Sequence, residues 1–217
     1  MNPIAHLRET VEQEVFDFQV LADALRQYRK PHDRIRRMVD DGEIVRVKKG
    51  LYVFGAPFRR QPIVREYLAN LIYGPSYVSL ESAMSYHGLI PERVEAVTSV
   101  TLGRSHTFET PFGAFTYLGL PRNRYIVGAG IATTGSVRFI IASPEKALAD
   151  KVWSDKRLSG TTVGEFGDYL FDDLRIDETM LRNFNSDRLE EISRAYGSTK
   201  IANLMRFVTK IKRCAYE

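Results

Sequence analysis

Residues 18–42 carry two helix-like patterns of apolar positions. The first pattern follows the i, i+3, i+4, i+7 spacing of one helix face. Its members are Phe18, Leu21, Ala22 and Leu25. The second lies between Pro31, which suits a first helical turn, and Gly42, which suits a helix end. Its apolar face consists of Ile35, Met38 and Val39. Two short helices joined by a tight basic connection predict a helix-turn-helix.

A strand-like alternation follows directly after the second helix, over residues 44–48. One predicted face carries Ile44, Arg46 and Lys48, and the other carries Val45 and Val47. Lys49-Gly50 is predicted to form the turn, since glycine adopts turn conformations without steric cost, and residues 51–54 return as the partner strand. A hairpin in this position is a wing. We therefore predict a winged helix-turn-helix domain over residues 1–57.

The remaining chain predicts a larger mixed domain over residues 62–217, after a proline- and arginine-rich linker at 55–62. Helical and strand-like segments come first, several strands with turns follow, and the chain ends in helices. The Gly- and Thr-rich segment 128–136 is predicted to be a β-turn, because it lacks the spacing of a phosphate-binding loop. The predicted fold class is α+β: a winged helix-turn-helix, then a mostly antiparallel sheet with helices and a helical C-terminal bundle.

The net charge of +4 is concentrated in one segment. Residues 1–25 carry one base and five acids (−4), residues 26–60 carry eleven bases and four acids (+7), and the rest carries +1. A local basic excess in a nearly neutral chain predicts a polyanionic partner, here double-stranded DNA; a merely solvated face is the alternative. The candidate DNA-binding residues are Lys30, His32, Arg34, Arg36, Arg37, Arg46, Lys48 and Lys49. The helix arginines are candidates for base edges or phosphates, whereas Lys48 and Lys49 are expected to contact phosphates.

The sequence offers no recognisable motif for catalysis or metal binding. The four histidines are far apart and Cys214 is the single cysteine, so neither a metal site nor an internal disulfide is expected. None of the nine lysines has an acid two residues before it, and no Gly-x-Ser-x-Gly elbow occurs. Glu145-Lys146 and Asp150-Lys151 are expected to serve the helix dipole and surface ion pairs. We therefore expect no enzymatic activity, no metal and no cofactor.

The composition indicates a cytoplasmic protein. No apolar run approaches the roughly 18 residues of a membrane-spanning helix. The first residues include acids and lack the apolar core of a secretory signal. A single cysteine fits a reducing compartment. We expect cytoplasmic localisation and no membrane partner.

Four stretches of the sequence carry a resemblance to a known family. They are RIRRMVDDGEIVRVKKGLYVFG, YVSLESAMSYHGLIPE, TPFGAFTYLGL and IIASPEKALADKVW. In this order they resemble the AbiE-type antitoxins of abortive-infection, type IV toxin–antitoxin systems, which act as transcriptional regulators. The resemblance extends over nearly the whole chain.

The resemblance implies a winged helix-turn-helix that binds inverted repeats in its own promoter and represses the toxin–antitoxin operon. It also implies a C-terminal domain that counters a nucleotidyltransferase toxin, without need of a stable protein complex. Carried over by position, the DNA contacts would be Arg34, Arg36, Arg37, Arg46, Lys48 and Lys49. No toxin-countering residue is assigned.

Three other functions remain open at this point. The first is a solitary winged-helix DNA-binding regulator with no toxin partner, which the absence of a neighbouring toxin gene would favour. The second is a protein-interaction module, which salt-insensitive binding to a protein without DNA binding would favour. The third is a metal-dependent nuclease or nucleotide-transferring enzyme, which activity that survives purification would favour.

Overall fold

The computed structural model describes residues 3–213, so Cys214 lies outside the described residues. The helices are α1 Pro3–Thr10, α2 Phe18–Ala24, α3 Pro31–Asp40, α4 Arg65–Ile72, α5 Leu80–Tyr86, α6 Arg122–Tyr125, α7 Pro144–Ser154, α8 Glu178–Arg182, α9 Ser186–Tyr196 and α10 Thr199–Arg213. The strands are β1 Val15–Asp17, β2 Ile44–Lys48, β3 Leu51–Phe54, β4 Ser76–Val78, β5 Val97–Thr101, β6 His106–Thr110, β7 Gly113–Gly119, β8 Ala129–Thr134 and β9 Val137–Ala142. Over the described range, no helix combines the length and apolar character needed to cross a membrane.

The N-terminal part contains a three-stranded antiparallel sheet in the order β1-β3-β2. One face of this sheet packs with α1, α2 and α3 in a small core. Its members from the sheet are Phe16, Ile44, Tyr52 and Phe54. The other face belongs to the core of the rest of the chain through Val15, Val47, Leu51 and Val53. The sheet is therefore buried on both sides, and its first strand, β1, is one that the sequence patterns did not predict.

The larger sheet has the order β6-β7-β5-β4-β9-β8 and is mixed. Strand β5 is parallel to β7 and β4 is parallel to β9, while the other neighbours are antiparallel. The combination of helices and sheets is confirmed, and the sheet predicted to be mostly antiparallel is mixed, with three antiparallel and two parallel pairs of neighbouring strands. The reason is that two hairpins, β6–β7 and β8–β9, flank the β4–β5 pair. Each hairpin docks with its second strand inward, which makes that strand parallel to its neighbour.

The prediction of a β-turn over residues 128–136 is also wrong, because most of this segment is strand β8. The turn is confined to Gly135-Ser136, and Gly135 has a φ of +59°. Gly130 adopts an ordinary strand conformation opposite Ile141 of β9. Pairing with β9 along the whole of β8 thus outweighs the local preference of glycine for turns.

Helix α7 begins as predicted, with Ser143 as its N-cap: the Ser143 side chain accepts a hydrogen bond from Lys146 N at 3.3 Å. Two of its charged side chains, Lys146 and Asp150, have no solvent exposure. Glu145 is buried as well and accepts a hydrogen bond from Asn185 N at 2.8 Å. The expectation of surface ion pairs is therefore wrong for Lys146 and Asp150, whereas Glu145 pairs with the exposed Arg188 at 3.5 Å and Lys151 pairs with Glu81 at 2.7 Å.

The buried pair of α7 is satisfied by a closed hydrogen-bond network. Lys146 Nζ donates to Asp150 Oδ1 at 2.6 Å and to the Tyr196 hydroxyl at 2.7 Å. The hydroxyls of Ser79 and Tyr77 donate to Asp150 Oδ2 at 2.6 Å and 3.3 Å. Tyr196 also donates to Asp150. The network joins the β4–α5 junction, α7 and α9 in the centre of the larger core.

Burial controls the proton affinity of these groups. Desolvation lowers the pKa of Lys146, and the charge of Asp150 opposes this effect. Desolvation, reinforced by the Asp150 charge, raises the pKa of Tyr77 and of Tyr196. Both phenols therefore remain protonated at neutral pH and act as donors to the carboxylate.

Replacement of Lys146 by methionine is expected to lower the free energy of unfolding by about 3–5 kcal/mol, because the Asp150 charge would remain buried without its cation. Urea unfolding followed by circular dichroism measures this change. Lys156→Met, at an exposed position of the same larger part, is the control and is expected to change stability by less than about 0.5 kcal/mol. An equally small effect of Lys146→Met would contradict the buried network.

Candidate nucleic-acid interface

Helix α3 separates an apolar face from a basic one. Ile35 and Met38 are buried in the small core, whereas His32, Arg36 and Arg37 are exposed. The ring of His32 stacks on Phe18 at the start of α2, with ring centroids 5.5 Å apart. This contact fixes the N-terminal end of α3 against α2.

The exposed charges of α3 are only loosely compensated. Lys30 Nζ lies 4.0 Å from Asp33, and Arg36 Nε lies 3.9 Å from Asp40, all with well-exposed side chains. Ion pairs of this kind contribute little and exchange readily with solvent or ligand. Arg37 has no ion pair within residues 3–213. The helix therefore offers cations that a polyanion can engage without breaking a strong contact.

Arg34 lies at the border between the two faces of α3. It is half-buried, and its Nε is buried without a hydrogen-bond partner among the described residues. Of the three predicted helix arginines, Arg36 and Arg37 are thus exposed, and Arg34 is partly covered.

The hairpin that follows α3 in the sequence carries two further exposed cations, Arg46 and Lys49. Gly42, with a φ of +70°, ends the turn after α3, and β2 begins at Ile44. Arg46 lies on an edge strand of the small sheet, on the same face as Ile44, and is exposed. Lys49 is exposed in the predicted turn, next to Gly50 with its φ of +85°. Neither cation has an ion pair within the described range 3–213.

Lys48 occupies a different environment from the one that strict alternation predicts. A β-bulge between Arg46 and Lys48 shifts the register, so that Lys48 lies opposite Leu51. Its ammonium group donates to the main-chain oxygen of Ile72, at the end of α4. Burial lowers the pKa of Lys48. The predicted common face of Ile44, Arg46 and Lys48 is therefore wrong at Lys48, which connects the hairpin to the larger part.

Two exposed cations that the candidate set omits are Arg26 and Arg29, in the connection between α2 and α3. Both arginines are included in the charge count over residues 26–60. The one sequence signal that could have added them to the candidate set is their position in the connection just after α2. The last two cations of that segment are engaged in the structure. Arg59 Nε donates to Phe54 O at 2.7 Å, and Arg60 Nη2 donates to Arg8 O at 3.2 Å.

We name the exposed cations Arg26, Arg29, Lys30, Arg36, Arg37, Arg46 and Lys49, together with His32, the basic arc. Six of the eight sequence-predicted residues belong to this set; Arg34 and Lys48 are partly covered. In the part of the chain that the structure describes, no group of three or more His, Cys, Asp or Glu side chains has a metal-binding arrangement. Neither a search of protein-family models nor a search of curated proteins gave a match to this chain.

Lys48→Met is expected to lower the free energy of unfolding by about 1–3 kcal/mol, because the Ile72 carbonyl would lose its partner at a partly buried position. Lys49→Met, one residue further on and exposed, is the matched control and is expected to stay within about 0.5 kcal/mol of wild type. Thermal and urea unfolding measure both. Equal effects of the two changes would contradict the distinct roles of these neighbouring lysines.

Proposed function

We propose that residues 1–57 form a winged helix-turn-helix that binds double-stranded DNA through the basic arc. In this proposal α3 enters the major groove and the β2–β3 hairpin is the wing on the adjacent backbone. The observation that carries the proposal is the exposure of Arg37, Arg46 and Lys49 on α3 and on the hairpin that follows it, without ion pairs in residues 3–213.

The proposal gives the cations different roles. Arg36 and Arg37 are the candidates for base edges, because they lie on the exposed side of α3. Arg46 and Lys49 are assigned to phosphates, which set affinity and its dependence on salt. Lys48 is assigned to holding the hairpin against α4, since its ammonium group is already engaged by the Ile72 carbonyl.

We further propose that the protein is a transcriptional repressor and the antitoxin of a type IV toxin–antitoxin system. It would autoregulate its operon through inverted repeats and counter a nucleotidyltransferase toxin without forming a stable complex with it. The support is the resemblance of four stretches to AbiE-type antitoxins, which includes the hairpin segment 34–55 and the α7 segment 140–153. Residues 62–217 are the proposed effector part.

Removal of two cations from the basic arc is expected to weaken DNA binding and to reduce its salt dependence. The double variant Arg37→Gln/Lys49→Gln should reduce the slope of log K against log salt by roughly 1, because Lys49 no longer contacts a phosphate, and should weaken the preference for the chain's own upstream DNA, because Arg37 no longer contacts a base edge. A band-shift titration at two salt concentrations, with the chain's own upstream DNA and a scrambled duplex of equal length, measures both quantities.

The matched control removes two exposed cations elsewhere. Arg104→Gln/Lys156→Gln has the same net charge as the test variant but changes only the larger part. It is expected to bind like the wild type. Equally weakened binding in both double variants would show that net charge alone determines the affinity and would contradict the role of the basic arc. Equal binding of the wild type to both duplexes at the higher salt would contradict sequence-specific recognition.

Repression and antitoxicity are expected to separate. When the protein is co-expressed with the nucleotidyltransferase toxin that this proposal requires in the same operon, Arg37→Gln/Lys49→Gln should still protect growth, because these residues belong to the proposed DNA-binding part. A reporter under the chain's own promoter should be derepressed by the same variant. If the wild type represses the reporter but gives no protection, the function is that of a solitary DNA-binding regulator.

A further inference from the structure

Strand β8 is an edge of the six-stranded sheet and is exposed at every residue except Ala132. Strand β8 pairs on one side with β9, where Ile131 lies opposite Ile140. Asn70 of α4 engages both main-chain groups of Ile140: Oδ1 accepts from Ile140 N at 2.6 Å, and Nδ2 donates to Ile140 O at 3.3 Å. These groups of Ile140 therefore point away from β8. It follows that Ile131 and Ile140 form a pair without mutual hydrogen bonds.

The direction of the other main-chain groups of β8 follows from this pair. In an antiparallel ladder, a residue of a non-hydrogen-bonded pair directs its N–H and C=O away from the partner strand. Its two neighbours in the chain direct theirs towards the partner strand, and this pattern alternates along the strand. Ala129, Ile131 and Thr133 therefore direct their N–H and C=O groups towards the open edge. Within residues 3–213 these groups have no hydrogen-bond partner.

The outward groups are symmetric about Ile131. When a second copy lies antiparallel with Ile131 opposite Ile131, Ala129 of each copy lies opposite Thr133 of the other. All three pairs are then of the hydrogen-bonded type, so the outward N–H and C=O groups of both copies are satisfied. The arrangement has a two-fold axis through the Ile131 pair, as a closed homodimer requires.

The side chains of this edge suit the same register. Strand β8 contains no charged residue, so no like charges meet at the axis. Ile131 and Ile140 are 64% and 45% exposed on one face, and the register places them beside their symmetry mates in a row of four isoleucines. The opposite edge, β6, carries the exposed residues His106 and Glu109, which is a common protection against edge pairing.

We propose that the protein forms a two-fold homodimer by antiparallel pairing of β8 with β8 of a second copy, centred on Ile131. A six-residue strand provides less than the roughly 800 Å² per partner of a standard interface. We therefore expect a weak dimer, with a dissociation constant in the micromolar to millimolar range. The proposal is independent of DNA binding, and its test uses none.

Sedimentation equilibrium of the full chain, from about 10 µM to about 1 mM, covers this range of affinities. The wild type is expected to show a monomer–dimer equilibrium. I131K and I131E each place like charges directly opposite at the axis, so each is expected to remain monomeric. An equimolar mixture of I131K and I131E places lysine opposite glutamate and is expected to dimerise again.

Thr107→Lys introduces the same charge at an exposed position of the other edge, β6, and is expected to dimerise like the wild type. Circular dichroism checks that I131K remains folded, which its exposed position favours. The proposal is overturned if the wild type is monomeric throughout, if I131K dimerises like the wild type, or if Thr107→Lys abolishes the dimer. A mixture that stays monomeric while the wild type dimerises overturns the register centred on Ile131.

Discussion

The small sheet β1-β3-β2 packs against an apolar core on each face, and only its edge strands leave side chains such as Arg46 exposed. Along β3 the side chains alternate between two cores, with Tyr52 and Phe54 towards the N-terminal helices and Leu51 and Val53 towards the larger sheet. Because both faces are packed, α3 and the hairpin keep one orientation relative to the rest of the chain. The contact of Lys48 with Ile72 adds a polar tie at the same junction.

Local signals are sufficient for the elements that carry the basic arc. Pro31 and Gly42 mark the bounds of α3 because each acts through its own backbone geometry, without help from distant residues. The same holds for the Gly50 turn and for the Ser143 cap of α7. The apolar period likewise identifies the buried side of α3, and with it the exposed side.

Features that depend on distant pairing could not be predicted from the sequence. The parallel neighbours in the larger sheet arise from how two hairpins dock, and no residue within either hairpin encodes that choice. The bulge that turns Lys48 inward is a matter of register with β3. Lys146 and Asp150 have the spacing of an ordinary surface pair, and only the arrival of tyrosines from other elements makes them a core pair. The burial of the second face of the small sheet could not be predicted either, because it depends on packing against the larger part of the chain.

The Lys146–Asp150 network also determines when the larger core can form during synthesis of the chain. Ser79 precedes Asp150 by 71 residues, and Tyr196 follows it by 46. A buried ion pair is unfavourable until its hydrogen bonds are complete. As the chain is made from its N-terminus, the Lys146–Asp150 pair of α7 therefore lacks the Tyr196 hydroxyl that completes its hydrogen bonds until α9 has emerged from the ribosome. The larger core can thus close only after α9 is available, and a nascent chain that stops before α9 leaves the charged side chains of Lys146 and Asp150 without the hydrogen bonds that allow their burial.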